Sequence, residues 1–240
     1  MTKFFKNLFR LFLINTPFFI ILNYVKNFLP NYKSKKKSLK IENQIYKNFI
    51  SLDPNEKWFC NNLNFLTYNF SKFVNSSNIL NILEIGSYEG RSAVFFLKKF
   101  SNSRIKCIDT WSGSDEHNYS DFTKIENNFD LNTGQFQNDN RLYKYKMTSN
   151  DFFLTNNNKF DFIYVDGDHN ADQVYLDILN SWRVLNKGGY LLLDDYMWWY
   201  YKDLKKNPST PINKFITNNI NKISFLKIWH QVIIQKKNFL

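Results

Sequence analysis

The chain has 240 residues, of which 43% are apolar, 19% aromatic and 22% charged. This composition supports a sizeable hydrophobic core and argues against collagen-like, disordered and coiled-coil proteins. The two cysteines, Cys60 and Cys107, form no C-x-x-C pair and no Cys/His ligand pattern, which argues against a disulfide framework or a structural zinc site. A reducing compartment is the simpler assumption for such a chain.

The net charge of +11 lies at the two ends of the chain. Residues 1–79 carry 12 Lys and Arg against 3 Asp and Glu, and residues 201–240 carry 8 against 1. Residues 80–200 carry 12 against 17, so the middle of the chain is acidic. Basic ends favour a polyanionic partner, but a bias towards A/T-rich codons explains an excess of lysine at least as well.

Residues 4–29 are the most apolar stretch. The 15 residues between Arg10 and Lys26 are fewer than the roughly 20 that cross a bilayer, and no small-residue cleavage site follows. We expect an aromatic, kinked helix that lies in a membrane interface or packs on a partner or on the protein's own body. The polybasic run at 33–40 is typical of the cytoplasmic side of anchors. Residues 1–40 are thus predicted to be a separate segment, and the chain to be cytoplasmic, at or near the membrane face.

The next segment, residues 41–79, is predicted to be helical. The sequence DPNE at 53–56 places Asp53 as an N-cap, Pro54 at the first helical position and Glu56 three residues after the cap. Apolar residues then recur at helical spacing from Trp58 to Phe73.

From Leu80 onward, short apolar runs alternate with amphipathic segments. Continuous apolar runs such as FIYV and YLLL are what a sheet buried on both faces requires. The alternation predicts an α/β fold for residues 80–240, with an open, mostly parallel sheet and helices on both faces. The expected strands are 79–86, 104–109, 143–147, 160–166 and 189–195, with a closing hairpin at 223–235. The expected helices are Glu89 to Phe100, Phe122 to Phe129, a short helix near Asp151, Ala171 to Leu185, and Ile212 to Ile220.

The first motif with chemical meaning is LEIGSYEGRSA at 83–93, which joins a strand to a helix. Gly86 and Gly90 allow a sharp turn and close approach to a ligand, but the spacing matches neither the dinucleotide fingerprint nor a P-loop. Glu84 at the strand end suits an amino group or another positive charge. Asp109 ends the next strand, where an acid can accept hydrogen bonds from the two hydroxyls of a ribose. A tight turn and a helix cap explain either feature equally well.

Two later strands also end in acids. Asp166 and Asp168 follow FDFIYV, and Asp194 and Asp195 follow YLLL. Because neighbouring parallel strands end at the same edge of a sheet, these carboxylates can converge on a hard cation that prefers oxygen ligands. The alternative is that Asp168 or Asn170 caps the following helix and that one of the later pair caps a turn.

The run from about Trp58 to Lys236, three quarters of the chain, resembles the class I S-adenosylmethionine-dependent methyltransferases, in a bacterial branch similar to catechol-type and macrolide-sugar O-methyltransferases. The resemblance rests on six motifs in order: LEIGSYEGRSA, CIDTWSGSDEH, FDFIYVDGDH, LNKGGYLLLDDYMW, TPINKFI and HQVIIQKK. It implies a Rossmann-like, mostly parallel seven-stranded sheet with an antiparallel last strand.

The resemblance also implies roles for individual residues. It places the methionine part of S-adenosylmethionine among Glu84, Gly86, Ser87, Tyr88, Gly90 and Ser92. It places the ribose on Asp109, with Thr110 and Trp111 beside it, and the adenine near Ser149, with Asp166 also at the cofactor. In metal-dependent relatives the Mg²⁺ ligands match Asp166, Asp194 and Asp195.

Two positions depart from the catechol-type pattern. Asp195 stands where that pattern usually has Asn, which keeps an oxygen ligand and adds a negative charge. His169 stands where the pattern has a lysine base, and a histidine is chemically suitable because its unperturbed pKa is near 6.5. His169 and Asp166 are therefore the predicted catalytic residues, although a histidine satisfied by local hydrogen bonds is an equal alternative.

These features predict O-methylation of a small hydroxylated acceptor, such as a sugar, a glycan or an aromatic hydroxyl, with Mg²⁺ as an expected helper. Nucleic acid is the less favoured acceptor, because the region of the site is acidic and repels phosphates. A cofactor-binding module without catalysis, tethered to a membrane partner by residues 1–40, is the remaining alternative.

Overall fold

The computed structural model describes residues 2–28, 30, 59–113 and 121–238. The predicted helix start at Asp53 to Glu56, Trp58 and the polybasic run at 33–40 lie outside the described residues. So does the stretch 114–120, which contains His117, a histidine in the predicted ribose motif.

A seven-stranded sheet forms the centre of the structure, in the order β3-β2-β1-β4-β5-β7-β6. The first five strands are parallel, β7 runs antiparallel to β5, and β6 runs antiparallel to β7. This arrangement confirms the predicted mostly parallel sheet with an antiparallel last strand. The strands are β1 (Asn81–Ile85), β2 (Arg104–Asp109), β3 (Leu142–Lys146), β4 (Phe160–Val165), β5 (Leu185–Leu193), β6 (Ile223–Ile228) and β7 (Val232–Lys236).

Helices cover both faces of the sheet. The described helices are α1 (Thr2–Leu13), α2 (residues 18–28), α3 (Leu63–Phe73), α4 (Arg91–Lys99), α5 (Phe122–Asn138), α6 (Ser149–Thr155), α7 (Ala171–Val184) and α8 (Ser209–Asn219). Helices α3, α4 and α5 pack on one face, and α1, α2, α6, α7 and α8 pack on the other.

The alternation of buried residues along β4 shows how the sheet separates the two cores. Phe162 and Tyr164 belong to the core under α3, α4 and α5, whereas Ile163 and Val165 belong to the opposite core. All four side chains are buried, as a strand covered on both faces requires.

Helix α5 is longer than the sequence pattern predicted. It begins after Asp121, whose carboxylate accepts a hydrogen bond from the backbone N–H of Lys124, and it continues to Asn138 rather than ending near Phe129. The second half contains Gly134 and several polar residues, which weaken the apolar pattern. It is held instead by tertiary contacts, since Thr133 and Phe136 are buried.

The apolar N-terminal stretch forms a hairpin of two helices rather than one kinked helix. Asn15 adopts a left-handed conformation with φ of +56°, and Pro17 has no N–H to donate, so the first helix ends before them. Phe4 stacks on Tyr24 with ring centroids 5.5 Å apart, which holds the two helices antiparallel. None of the helices that the structure describes is long and apolar enough to cross a membrane.

The hairpin is attached to the edge strand of the sheet. The side chain of Asn23 donates to the carbonyl oxygen of Leu226 at 3.1 Å and accepts from the N–H of Ile228 at 2.9 Å. Asn27 donates to the carbonyl oxygen of Ile228 at 3.1 Å. These side chains satisfy backbone groups on the outer side of β6, beside which no described strand lies.

Candidate functional site

The loop between β1 and α4 is the first component of the site. Gly86 has a φ of +82°, and a Cβ on this residue would lie 1.9 Å from the carbonyl oxygen of Asp166. The loop therefore passes so close to the end of β4 that only glycine fits. Gly90, with a φ of +83°, is the residue before α4 and packs against Thr133 and Phe129 of α5.

Asp109, at the end of β2, holds this loop through its carboxylate. Its Oδ2 accepts hydrogen bonds from the backbone N–H groups of Ser87 and Tyr88, both at 2.9 Å, and its Oδ1 accepts one from the N–H of Trp111 at 2.7 Å. The indole N–H of Trp111 donates to the carbonyl oxygen of Tyr88 at 2.9 Å. A carboxylate has about four acceptor positions, so Asp109 retains one for a ligand hydroxyl.

Glu84 lies beneath the loop and is fully buried. Its Oε2 accepts a hydrogen bond from the hydroxyl of Ser87 at 2.7 Å. Burial raises the pKa of Glu84 to about 7, because a charged carboxylate is poorly solvated there. Glu84 does not line the cavity, whereas its hydrogen-bond partner Ser87 does, and the predicted place of Glu84 beside the methionine part of the cofactor stays a prediction.

A second polar group lies at the start of α6. The hydroxyl of Ser149 donates to Oδ1 of Asp177 at 2.6 Å, and the amide of Gln173 donates to the same oxygen at 3.0 Å. Burial raises the pKa of Asp177 to about 6 despite these two donors. Ser149, Gln173 and Asp177 together offer hydrogen-bond donors and acceptors to a heterocyclic ligand.

The acids at the ends of β4 and β5 meet around the buried hydroxyl of Tyr164. This hydroxyl lies 2.7 Å from Oδ2 of Asp166 and also contacts Oδ2 of Asp194. The side-chain amide of Gln231 donates to the same oxygen of Asp194 at 2.6 Å. Burial and the nearby charges of Asp166 and Asp195 raise the pKa of Asp194 well above its usual range.

His169 faces the other side of this acidic group. Its Nε2 lies 2.8 Å from Oδ2 of Asp195 and 3.8 Å from Oδ1 of Asp166, and its ring lies 4.7 Å from that of Trp198. Asp195 adopts a left-handed backbone conformation with a φ of +53°. Burial raises the pKa of Asp166 to about 6, and its hydrogen bond with His169 acts in the opposite direction.

The residues that could hold a cation differ from the predicted set. Asp166, His169 and Asp195 each offer one ligand atom, and these atoms lie within 4.8 Å of one another. Asp194 was predicted as a ligand, but its Oδ2 is already bonded to Tyr164 and Gln231, and its Oδ1 accepts the N–H of Asp195. Among the described residues the cluster thus contains His169 and not Asp194, whose role as a ligand stays a prediction. An imidazole beside two carboxylates suits several divalent metals, whereas Mg²⁺ prefers oxygen ligands alone.

One cavity of about 560 Å³ connects these groups, a volume within the usual range for cofactor and small-ligand sites. Seven of its described lining residues are acids, and one, Arg91, carries a guanidinium. The cavity therefore favours a positively charged ligand. The predicted site residues that line it are Gly86, Ser87, Tyr88, Ser92, Asp109, Thr110, Trp111, Ser149, Asp166, His169, Asp194 and Asp195. Glu84 and Gly90 support the loop from outside.

Four residues of this region were missed by the sequence analysis. Tyr164 and Gln231 were assigned only to strands, and Gln173 and Asp177 only to a helix. For Tyr164 a signal existed, because it precedes Asp166 by two residues and so lies on the same side of β4. Gln231 comes from a distant part of the chain, and no local pattern brings it to Asp194.

Comparisons with known proteins agree with this geometry. Residues 83–196 match the family model described as a methyltransferase domain. The O-methyltransferase from Bacillus cereus in complex with SAH superposes with a TM-score of 0.51, at 14% identity, over 85% of this chain and 91% of that one. The MycE methyltransferase from the mycinamycin biosynthetic pathway, in complex with Mg, SAH and mycinamycin VI, superposes with a TM-score of 0.53, at 14% identity, over 81% of this chain and 54% of that one.

An uncharacterized protein of Acanthamoeba polyphaga mimivirus is 27% identical over 143 residues. That match covers 58% of this chain and 60% of the viral protein, so the chain spans less than two thirds of that relative. Residues 83–196 are similar to methyltransferase domains, and the sheet around them has the Rossmann-like fold of these methyltransferase structures. The resemblance that the motifs indicate is confirmed by the similarity to methyltransferase domains and by the fold. The assignment to a bacterial branch stays a prediction.

Proposed function

We propose that the chain is an S-adenosylmethionine-dependent O-methyltransferase that acts on a hydroxyl of a small acceptor such as a sugar, a glycan or an aromatic compound. The observation that carries this proposal is the acidic cavity that joins the loop at Gly86 to the histidine and acids at the ends of β4 and β5. S-adenosylmethionine carries a sulfonium and an ammonium group, and both positive charges suit this lining.

The residues that line the cavity would provide polar partners for each part of the cofactor. Asp109 would accept a ribose hydroxyl at its remaining acceptor position, and Ser149, Gln173 and Asp177 would surround the adenine. The N–H groups at the start of α4 and the hydroxyl of Ser92 would lie near the methionine part. The SAH in the complexes of the structural neighbours supports the same choice of ligand.

His169 is the proposed general base. The methyl group of the cofactor is already electrophilic, so the enzyme needs to align the acceptor and take its proton. Asp195, 2.8 Å from Nε2 of His169, would orient the ring and stabilise its protonated form. Asp166 adds a second negative charge on the same side.

A divalent cation fits the same acids. Asp166 and Asp195 would hold it, with His169 as the third ligand. This cation is the alternative to His169 as the base, because a ring nitrogen that coordinates a metal cannot also accept a proton. Such an ion, when bound, lowers the pKa of an acceptor hydroxyl and fixes its oxygen. The Mg in the MycE complex supports this part of the proposal.

Aromatic side chains favour a flat or ring-shaped acceptor. Trp198 lines the cavity beside His169 and stacks on Tyr200 with ring centroids 5.2 Å apart. Tyr201 lies edge-on to Tyr200 at 5.3 Å. Aromatic faces of this kind are suited to sugars and to other aromatic rings.

The test is an assay of S-adenosylhomocysteine release with a panel of hydroxylated sugars and phenols, with Mg²⁺, with Mn²⁺ and with a chelator. For an accepted substrate, His169→Gln should lower kcat by about 100-fold or more, as is typical for loss of a general base. His230→Gln is the matched control, because His230 does not line the cavity.

Three results would decide between the alternatives. Release that a chelator abolishes supports the cation, and release that survives the chelator but not His169→Gln supports the base alone. Cofactor binding without release for any acceptor of the panel would contradict the proposal and favour the tethered binding module.

A further inference from the structure

The helical hairpin α1–α2 exposes apolar side chains on its outer side. On α1 these are Phe5, Phe9, Phe12 and Leu13, at the spacing of one helical face. Phe9 is 63% exposed, which is unusual for an aromatic residue in the middle of a helix. The opposite face of α1 carries the fully buried Leu11.

Helix α2 repeats the pattern. Phe18, Leu22 and Val25 follow one another at helical spacing, and all three are exposed, Phe18 by 67%. Ile20, Ile21 and Tyr24 on the inner face pack into the core of the protein. Eight large apolar side chains are therefore exposed on one hairpin, more than the scattered single residues of an ordinary surface; the eighth is Phe19.

The charged residues of the two helices all have one sign. Lys3, Lys6 and Lys26 are exposed on the same two helices. In the sequence, residues 1–41 contain nine Lys and Arg and no Asp or Glu. A second copy of the chain would bring two such positive surfaces together, so self-association through this face is disfavoured. An anionic lipid surface complements both the apolar side chains and the lysines.

The hairpin is held firmly enough to present this face. Asn23 and Asn27 bind the backbone of β6, and the hydroxyl of Thr16 accepts a hydrogen bond from Asn213 of α8 at 3.0 Å. The guanidinium of Arg10 lies 5.3 Å from the centre of the Trp199 ring. Trp199 follows Trp198, which lines the cavity, so the hairpin contacts the segment beside the site.

We propose that the outer face of the α1–α2 hairpin docks onto an anionic membrane surface. The aromatic and aliphatic side chains enter the headgroup region, and the lysines bind anionic headgroups. The buried inner face remains packed on the protein.

The test is flotation of the full chain with vesicles of phosphatidylcholine, alone or mixed with anionic phosphatidylglycerol. We expect binding to the mixed vesicles that weakens at high salt. The triple variant Phe9→Ser, Phe12→Ser, Phe18→Ser should lower the partition coefficient by about tenfold or more. The matched control changes exposed apolar residues elsewhere: Leu131→Ser, Leu154→Ser and Leu176→Ser.

A second variant tests the charge. Lys3→Glu, Lys6→Glu and Lys26→Glu together should remove the preference for anionic vesicles, again by about tenfold. Lys205→Glu, Lys206→Glu and Lys222→Glu, which are also exposed, are the control with equal charge change.

No flotation, or flotation that the triple Phe variant leaves unchanged, would overturn the proposal. So would a dimer in solution that this variant dissociates, because the face would then be covered by a second copy. The vesicle readout involves no methyl transfer and no cofactor. Its failure is therefore distinguishable from failure of the proposed function.

Discussion

Burial sets the chemistry of individual residues around the cavity, and Glu84 is the clearest case. Its pKa in the folded chain is about 7, against an ordinary value of 4.5. Because the folded state holds this proton more tightly than the unfolded state, ionisation of Glu84 opposes folding. The loss of stability is absent below pH 4.5, grows as the pH rises towards 7, and reaches at most about 3 kcal/mol.

We predict that Glu84→Gln removes this pH dependence. The free energy of unfolding of the variant, relative to the natural chain, should increase between pH 5 and pH 8 in urea titrations. Glu126→Gln is a control of opposite sign, because hydrogen bonds with Lys146 and Lys144 lower the pKa of Glu126. In the natural chain, ionised Glu126 stabilises the fold at neutral pH, and this stabilisation is lost as the pH falls. An equal pH response of Glu84→Gln and the natural chain would contradict the account of Glu84.

Tyr164 supports both acids at the ends of β4 and β5. Tyr164→Phe removes the hydroxyl and leaves partly buried oxygens of Asp166 and Asp194 with one donor fewer. The expected cost is about 1–3 kcal/mol in urea unfolding, since unsatisfied buried polar groups are expensive. Tyr143→Phe removes an exposed hydroxyl that donates to Asn140 and should change stability by less than about 0.5 kcal/mol. If both variants changed the free energy of unfolding equally, the hydrogen bonds of Tyr164 to Asp166 and Asp194 would not stabilise the fold.

At the scale of elements, the loop after β1 depends on one glycine. Gly86→Ala would place a methyl group against the backbone of Asp166 and force a residue with a Cβ into a left-handed conformation. We expect a loss on the order of 3 kcal/mol or more, together with loss of cofactor binding. Thermal unfolding measures the loss of stability, and calorimetric titration with S-adenosylmethionine measures the loss of cofactor binding.

Gly134→Ala is the matched control for this substitution. Gly134 lies within α5, and a Cβ there meets nothing within 4 Å. This variant should be more stable than the natural chain by about 0.5–1 kcal/mol, because alanine is the better helix former. If both variants lost stability equally, the close approach at Gly86 would not be the cause.

Elements with a strong local pattern could be predicted from the sequence, and others could not. The buried runs of β4 and β5 and the cap of α7 by Asn170 follow from local residues, and the structure has them. The second half of α5 has a weak apolar pattern and is held by contacts with distant residues. The apolar pattern of the N-terminal stretch predicted one kinked helix. In the structure the first helix ends at Leu13, before the turn that contains Asn15 and Pro17.

At the scale of the whole molecule, the sheet order decides which acids meet. The sequence placed Asp109, Asp166 and Asp195 at strand ends, and that was enough to predict one site. It did not indicate that Tyr164 and Gln231 would form hydrogen bonds with the carboxylate of Asp194. These bonds depend on how β7 lies against β5. It also did not indicate that Glu84 would lie below the loop rather than in the cavity wall.

The central claim is that the acidic cavity binds S-adenosylmethionine. Calorimetric titration of the full chain with S-adenosylmethionine and with S-adenosylhomocysteine, with and without Mg²⁺, tests it most directly. We predict binding of both compounds, weakened by about tenfold or more in Asp109→Asn through loss of a charge-assisted hydrogen bond, and unchanged in the exposed control Leu154→Ser. Absence of binding by the folded natural chain under every condition would contradict the account.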